Sequence, residues 1–184
     1  MAISLYLDLA LGATDGQQNP ALQLNAQLLG KEYVQNFKQS IVLSLQRATT
    51  IAGAQQLKPL ASFIQRAELI IGHNIHRLLQ LILLEASRVG DQELISLLTP
   101  PRFGYDGGER VAVCLRQLAT EYFDLVGWPP GVYSDNLSTI HRAICPWSTI
   151  RQDRLTACRE VYGCLRSFQE REGILLMEDL WQLG

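Results

Sequence analysis

Long apolar runs, paired cysteines and an excess of either charge are all missing from this chain of 184 residues. The longest apolar stretch, 69–84, is broken by His73, Asn74, His76, Arg77 and Gln80, whereas a bilayer-spanning helix needs about 20 nearly unbroken apolar residues. No membrane span is expected. Cys114, Cys145, Cys158 and Cys164 include no Cys-x-x-Cys pair, and a chain of this length does not need disulfide staples, so reduced thiols are expected. The run after Met1 lacks a basic region and contains Asp8. It is a poor secretory signal, which points to a cytoplasmic protein. Sixteen basic residues stand against eighteen acidic ones, for a net charge of -2. That balance lacks the basic footprint of a nucleic-acid binder and argues against such a partner. Lysine is scarce as well, since all basic residues except Lys31, Lys38 and Lys58 are Arg.

What is present is apolar surface in quantity: 47% of residues are hydrophobic and 18% charged, enough to offset the entropy of ordering the chain. Neither an internal repeat nor a domain linker interrupts it, so one domain over 1–184 is expected, with 1–19 as an arm and linker. Residues 3–11 alternate, Ile3, Leu5, Leu7, Leu9 and Leu11 against Ser4, Tyr6, Asp8 and Ala10. Period two predicts a strand or extended arm. From Pro20, the residues Leu22, Leu29, Tyr33, Phe37, Ile41, Leu45 and Ala48 recur on a slowly rotating helical face. A second helix is predicted over about 59–89, apolar nearly all round and stopped by Gly90. Shorter helices follow at 92–98, 109–126 and about 135–145, with a last long one after Ser148 and an apolar tail over 174–183. The predicted fold is all-α: a six- or seven-helix bundle around the 59–89 helix.

Several residues suggest chemistry. His73 and His76, three apart, can project from one face of a helix as metal or tetrapyrrole ligation would need. The carboxylates Glu68 and Glu85 fit neither di-iron nor zinc spacings. His141 and Cys145 lie four apart, close enough for an imidazole to activate a thiol. Against this, Cys145 sits at a predicted helix C-terminus, where the dipole opposes a thiolate. Gly104, Gly107 and Gly108 precede a helix but match no phosphate-binding spacing. Phe103 and Tyr105 flank one end of the 109–126 helix, and Trp128 and Tyr133 the other. Exposed rings of this kind anchor partners. Arg66, Arg77 and Arg88 form a line along the predicted central helix, and Arg159 and Arg166 lie on the last helix, where they can seat an acidic surface or pair with the chain's own carboxylates.

The functional expectation is a non-enzymatic helical interaction or regulatory protein that binds another protein and needs no cofactor. Its partner-binding residues are Phe103, Tyr105, Trp128, Tyr133, Arg159 and Arg166. Because a lone strand leaves its backbone groups unpaired, residues 3–11 are expected to pair with a second copy and form a homo-oligomer. The rival readings are a bundle holding an apolar or tetrapyrrole ligand or a metal near His73 and His76, and a thiol enzyme using Cys145 and His141.

Overall fold

The computed structural model describes residues 3–11, 22–32, 35–45, 50–99, 111–130, 136–148 and 153–173. Alternation of leucine with polar residues does make residues 4–11 a strand, β1 (Ser4–Leu11). It does not stand alone. Two long strands follow, β2 (Leu22–Glu32) and β3 (Gln35–Leu45), then α1 (Thr50–Arg66), β4 (Leu69–Gly72), α2 (Ile75–Val89) and α3 (Gln92–Leu98). The described elements continue with β5 (Val111–Cys114), α4 (Leu115–Val126), α5 (Leu137–Ile144) and α6 (Arg154–Glu172). The strands form one mixed sheet in the order β3-β2-β1-β4-β5. β2 is antiparallel to β1 and β3 to β2, while β4 runs parallel to β1 and β5 to β4.

This α/β architecture overturns the all-α bundle expected from the sequence, and three predicted helices change identity. The long helix from Pro20 is the β2–β3 hairpin, in which Leu22 pairs with Leu45 and Glu32 with Gln35. The 59–89 helix divides into α1, β4 and α2. Its break lies at Gly72, where an added Cβ would stand 2.8 Å from the Leu7 carbonyl oxygen, and at Asn74, whose φ of 55° is left-handed. The first turn of the 109–126 helix is β5, which passes directly into α4. The last long helix, expected after Ser148, begins instead at Arg154 behind the N-cap Asp153, while the boundary at Gly90–Asp91 stands. Gly90 closes α2 with φ 75°, the Asp91 N–H donating to the Ala86 carbonyl at 2.9 Å, and the Asp91 carboxylate then accepts from the Leu94 N–H at 3.0 Å to cap α3.

Period-two alternation divides the buried side chains between two cores, one on each face of the sheet. Leu5, Leu7, Leu24, Ala26, Leu28, Ile70 and Ala112 face α1, α2 and α3. Tyr6, Ile71 and Val113 face α4, α5 and α6. The neighbours Ile70 and Ile71 thus serve opposite cores, which explains why β4 reads as a continuous apolar run. Among the described residues no helix is long and apolar enough to cross a membrane.

Leu79 and Ile82 of α2 are closed to solvent in the first core. Replacing either by Ala is expected to cost about 2–5 kcal/mol through lost transfer energy and residual cavity. A urea midpoint lowered at unchanged slope measures it, and a loss under about 0.5 kcal/mol contradicts the packing.

Candidate functional site

Ligands of open sheets with parallel strands gather at the carboxyl ends of those strands, where the direction of connection switches. In this sheet Leu7 pairs with Gly72, so the next residues, Asp8 and His73, stand at the carboxyl end of the β1–β4 pair. The alternation of β1 turns Asp8 to the side of Tyr6, toward α6. Its side chain is only 3% exposed, and the Arg154 guanidinium, 42% exposed, covers it: Nε donates to Oδ1 at 3.0 Å and Oδ2 at 2.9 Å. Arg154 is held there because it is the first residue of α6, whose N-cap is Asp153 accepting from the Leu155 N–H at 3.1 Å. Burial pushes the Asp8 carboxyl above its ordinary range, opposed by the hydrogen bond and charge of Arg154 and by His73. Around this pair, burial also raises the Cys158 thiol to about 12, with the Asp8 charge adding to the effect. The Tyr6 hydroxyl rises to about 12 for the same first reason. The Cys158 thiol and the Tyr6 hydroxyl beside the Asp8–Arg154 pair are thus both pressed toward their neutral forms.

His73 and His76 are not on one helix face. His73 follows Gly72 in the turn and His76 belongs to the first turn of α2, with the left-handed Asn74 between them. Among the described residues no group of three or more His, Cys, Asp or Glu is placed to hold a metal ion.

A second polar cluster lies between α5 and α6. His141, 1% exposed, places Nε2 at 2.5 Å from Glu160 Oε2, and the Ser148 hydroxyl donates to the same oxygen at 2.7 Å. These two bonds, His141 first, hold the Glu160 carboxyl below its ordinary range. One turn further along both helices, Cys145 Sγ meets Cys164 Sγ at 3.2 Å. Cys145 therefore bonds a second thiol and not His141, whose Nε2 is engaged by Glu160. Burial, and then the Cys164 hydrogen bond, push the Cys145 thiol well above its ordinary range. That is the reverse of nucleophile activation and agrees with the position of Cys145 at the C-terminal end of α5, where the dipole opposes a thiolate.

The expected partner-binding residues fare unevenly. Phe103, Tyr105 and Tyr133, with Gly104, Gly107 and Gly108, lie outside the described residues. Trp128 is exposed, but its indole donates to Asp124 at 2.7 Å and its ring packs 5.0 Å from Phe123. Arg159 turns toward the sheet and donates to Gln27 at 3.1 Å. Arg166 is half-buried on α6. The line of Arg66, Arg77 and Arg88 is divided by β4: Arg66 ends α1 over the Phe37 ring at 4.9 Å, and Arg88 forms a fork with Glu85 at 2.9 and 2.5 Å. The two residues with most consequence, Asp8 and Arg154, escaped sequence reasoning as a pair. Asp8 left one trace, the only charge within the alternation of β1. Arg154, 146 residues away, left none.

Substituting Arg154 by Ala leaves the Asp8 carboxylate buried and unpaired. The expected loss at neutral pH is about 3 kcal/mol, at the low end for a buried pair because the guanidinium is partly solvated. A carboxyl whose folded pKa is raised favours folding when protonated, so the deficit of the variant narrows as pH falls toward about 4. Urea titrations of both proteins across that range measure it, and a deficit that is constant or widens in acid contradicts the pairing. No family model, curated protein or solved structure matches the chain.

Proposed function

We propose that the protein is a non-enzymatic interaction protein of the cytoplasm that self-associates by joining the β3 strands of two copies. The carrying observation is the edge itself. β3 ends the sheet order, is paired as a strand only with β2 among the described residues, and over 11 residues has neither proline nor glycine and one charge, Lys38. Edge strands that remain solitary are usually short, kinked or charged, because an open ladder recruits another strand. This edge has none of those protections along Gln39 to Leu45. Val42, within this stretch, is 64% exposed.

A second copy suits the edge chemically. Two-fold antiparallel pairing centred on Ser40 sets Lys38 opposite Val42 and Phe37 opposite Leu43, so no like charges meet. Phe37 and Leu43 belong to the α1-facing core, and the joined sheets carry that layer across the junction. The edge is also braced, since Arg66 donates to Gln39 at 2.8 Å while covering Phe37. The non-enzymatic part of the reading is supported by the internal neutralisation of Asp8 and by the raised Cys145 thiol, neither of which is poised for catalysis.

The proposal moves the oligomer contact expected at residues 3–11 to a different strand, because β1 finds both its partners, β2 and β4, within the chain. Light scattering at micromolar concentrations is expected to give the mass of a dimer. Val42→Lys, which opposes two ammonium groups at each end of the junction, is expected to weaken dimerisation at least about tenfold with the thermal melt of the monomer unchanged. Adding Lys38→Glu to that variant restores opposite charges and the dimer. A wild-type protein that stays monomeric to about 100 μM, far above the dissociation constants of specific interfaces, overturns the reading.

A further inference from the structure

The α5–α6 cluster is built as a ladder. His141 and Cys145 are one turn apart on α5 and its C-cap, Glu160 and Cys164 one turn apart on α6, and the contacts His141–Glu160 and Cys145–Cys164 both span 19 residues. The two helices therefore run side by side in the same direction at this point, with a charged rung followed by a sulfur rung. The rungs differ in what reaches them. Cys145 is closed to solvent, whereas Cys164 lines an open groove of about 640 Å³ bordered by Tyr122, Trp147, Gly163 and Phe168. Gly163 leaves the groove floor open, since a Cβ there would touch nothing within 4 Å, and Trp147 stands at the rim with 74% of its surface exposed. Cys114 and Cys158 are buried elsewhere.

We propose that Cys145 and Cys164 form a dithiol–disulfide site that is oxidised through the groove by a low-molecular-weight disulfide of the glutathione class. A disulfide bond is about 2.05 Å long, so the sulfurs, now 3.2 Å apart, need to close by about 1 Å. In the first step Cys164 gives its proton to water and its thiolate attacks one sulfur of the small disulfide. The Cys164–S bond forms, the small S–S bond breaks, and the departing thiolate takes a proton. In the second step Cys145 loses its proton and attacks the Cys164 sulfur, releasing the second small thiol. The protein loses two electrons and two protons, and one disulfide becomes two thiols. Entry at Cys164 follows from access. Closure by Cys145, although burial disfavours its thiolate, follows from its standing in contact with the sulfur it attacks.

The purified full-length chain, incubated with excess glutathione disulfide, quenched with an alkylating reagent and analysed by intact mass and peptide mapping, tests this. The expected product has lost the mass of two hydrogens and yields one cross-linked peptide pair containing Cys145 and Cys164, with Cys114 and Cys158 alkylated only after denaturation. Cys145→Ser is expected to stop at the mixed disulfide, gaining one glutathionyl group on Cys164, and Cys164→Ser to remain unmodified. The wild-type map alone decides the matter if either variant folds poorly. Four free thiols after incubation, a persistent wild-type mixed disulfide, or a cross-link between any other pair overturns the proposal.

Discussion

Over Ser4–Leu7, strand β1 is hydrogen-bonded along both edges and covered on both faces, and the rest of the structure is arranged by that one demand. A backbone so placed has no access to water, so every N–H and C=O in it requires a partner from the chain. β2 supplies one edge from Leu22 to Leu29 and β4 the other from Leu69 to Gly72. Its side chains in turn define the two cores, Leu5 and Leu7 toward α1–α3 and Tyr6 toward α4–α6. Asp8 is the exception to an otherwise uncharged strand, and its burial makes an arginine on the last helix obligatory. A buried pair of this kind adds little net stability over an apolar replacement, but it penalises every arrangement in which the two ends of the chain do not meet.

Both clusters at the α4–α6 side place polar chemistry where burial suppresses charge. Asp8, Tyr6, Cys158 and Cys145 are all shifted toward their neutral forms, in each case first by burial. Glu160 is the contrast, a half-exposed carboxylate kept ionised by His141 and Ser148.

The elements legible in the sequence were those whose period and punctuation agreed. β1 alternates over nine residues, and α2, α3 and α6 end or begin at Gly90, Asp91 and Gly173. The β2–β3 hairpin was illegible for a specific reason. Within β3, Phe37, Ile41 and Leu45 recur every four residues, a spacing that stays on one face of a helix and also, being even, on one side of a strand, while Leu29, which continues the helical series, belongs to β2 and packs on the other face of the sheet. Leucine, glutamine and alanine then tipped the reading toward helix. The tighter alternation Leu22, Leu24, Ala26, Leu28 was the discriminating signal. β4 and β5 are four residues each and buried on both faces, so they carry no alternation, and only the β-branched Ile70, Ile71, Val111 and Val113 distinguish them from helical turns. Of the candidate site, the helical spacings of His141–Cys145 and Glu160–Cys164 were readable within each helix, but which rung met which was not. Pairing across two helices depends on their direction and offset, and the sequence of either one alone contains neither.

The bond between Asp8 and Arg154 also orders events during synthesis. The strand leaves the ribosome before its sheet partners β2 and β4, after which α1–α3 can close over one face. At about 5–20 residues per second, the 146 residues that separate the carboxylate from its guanidinium take roughly 7 to 30 seconds to appear. Throughout that interval the half-built sheet holds a charge it cannot bury, so its second face stays hydrated and unlatched. The arrival of α6 ends this state, which makes its first turn, through Arg154, the latch of the second face.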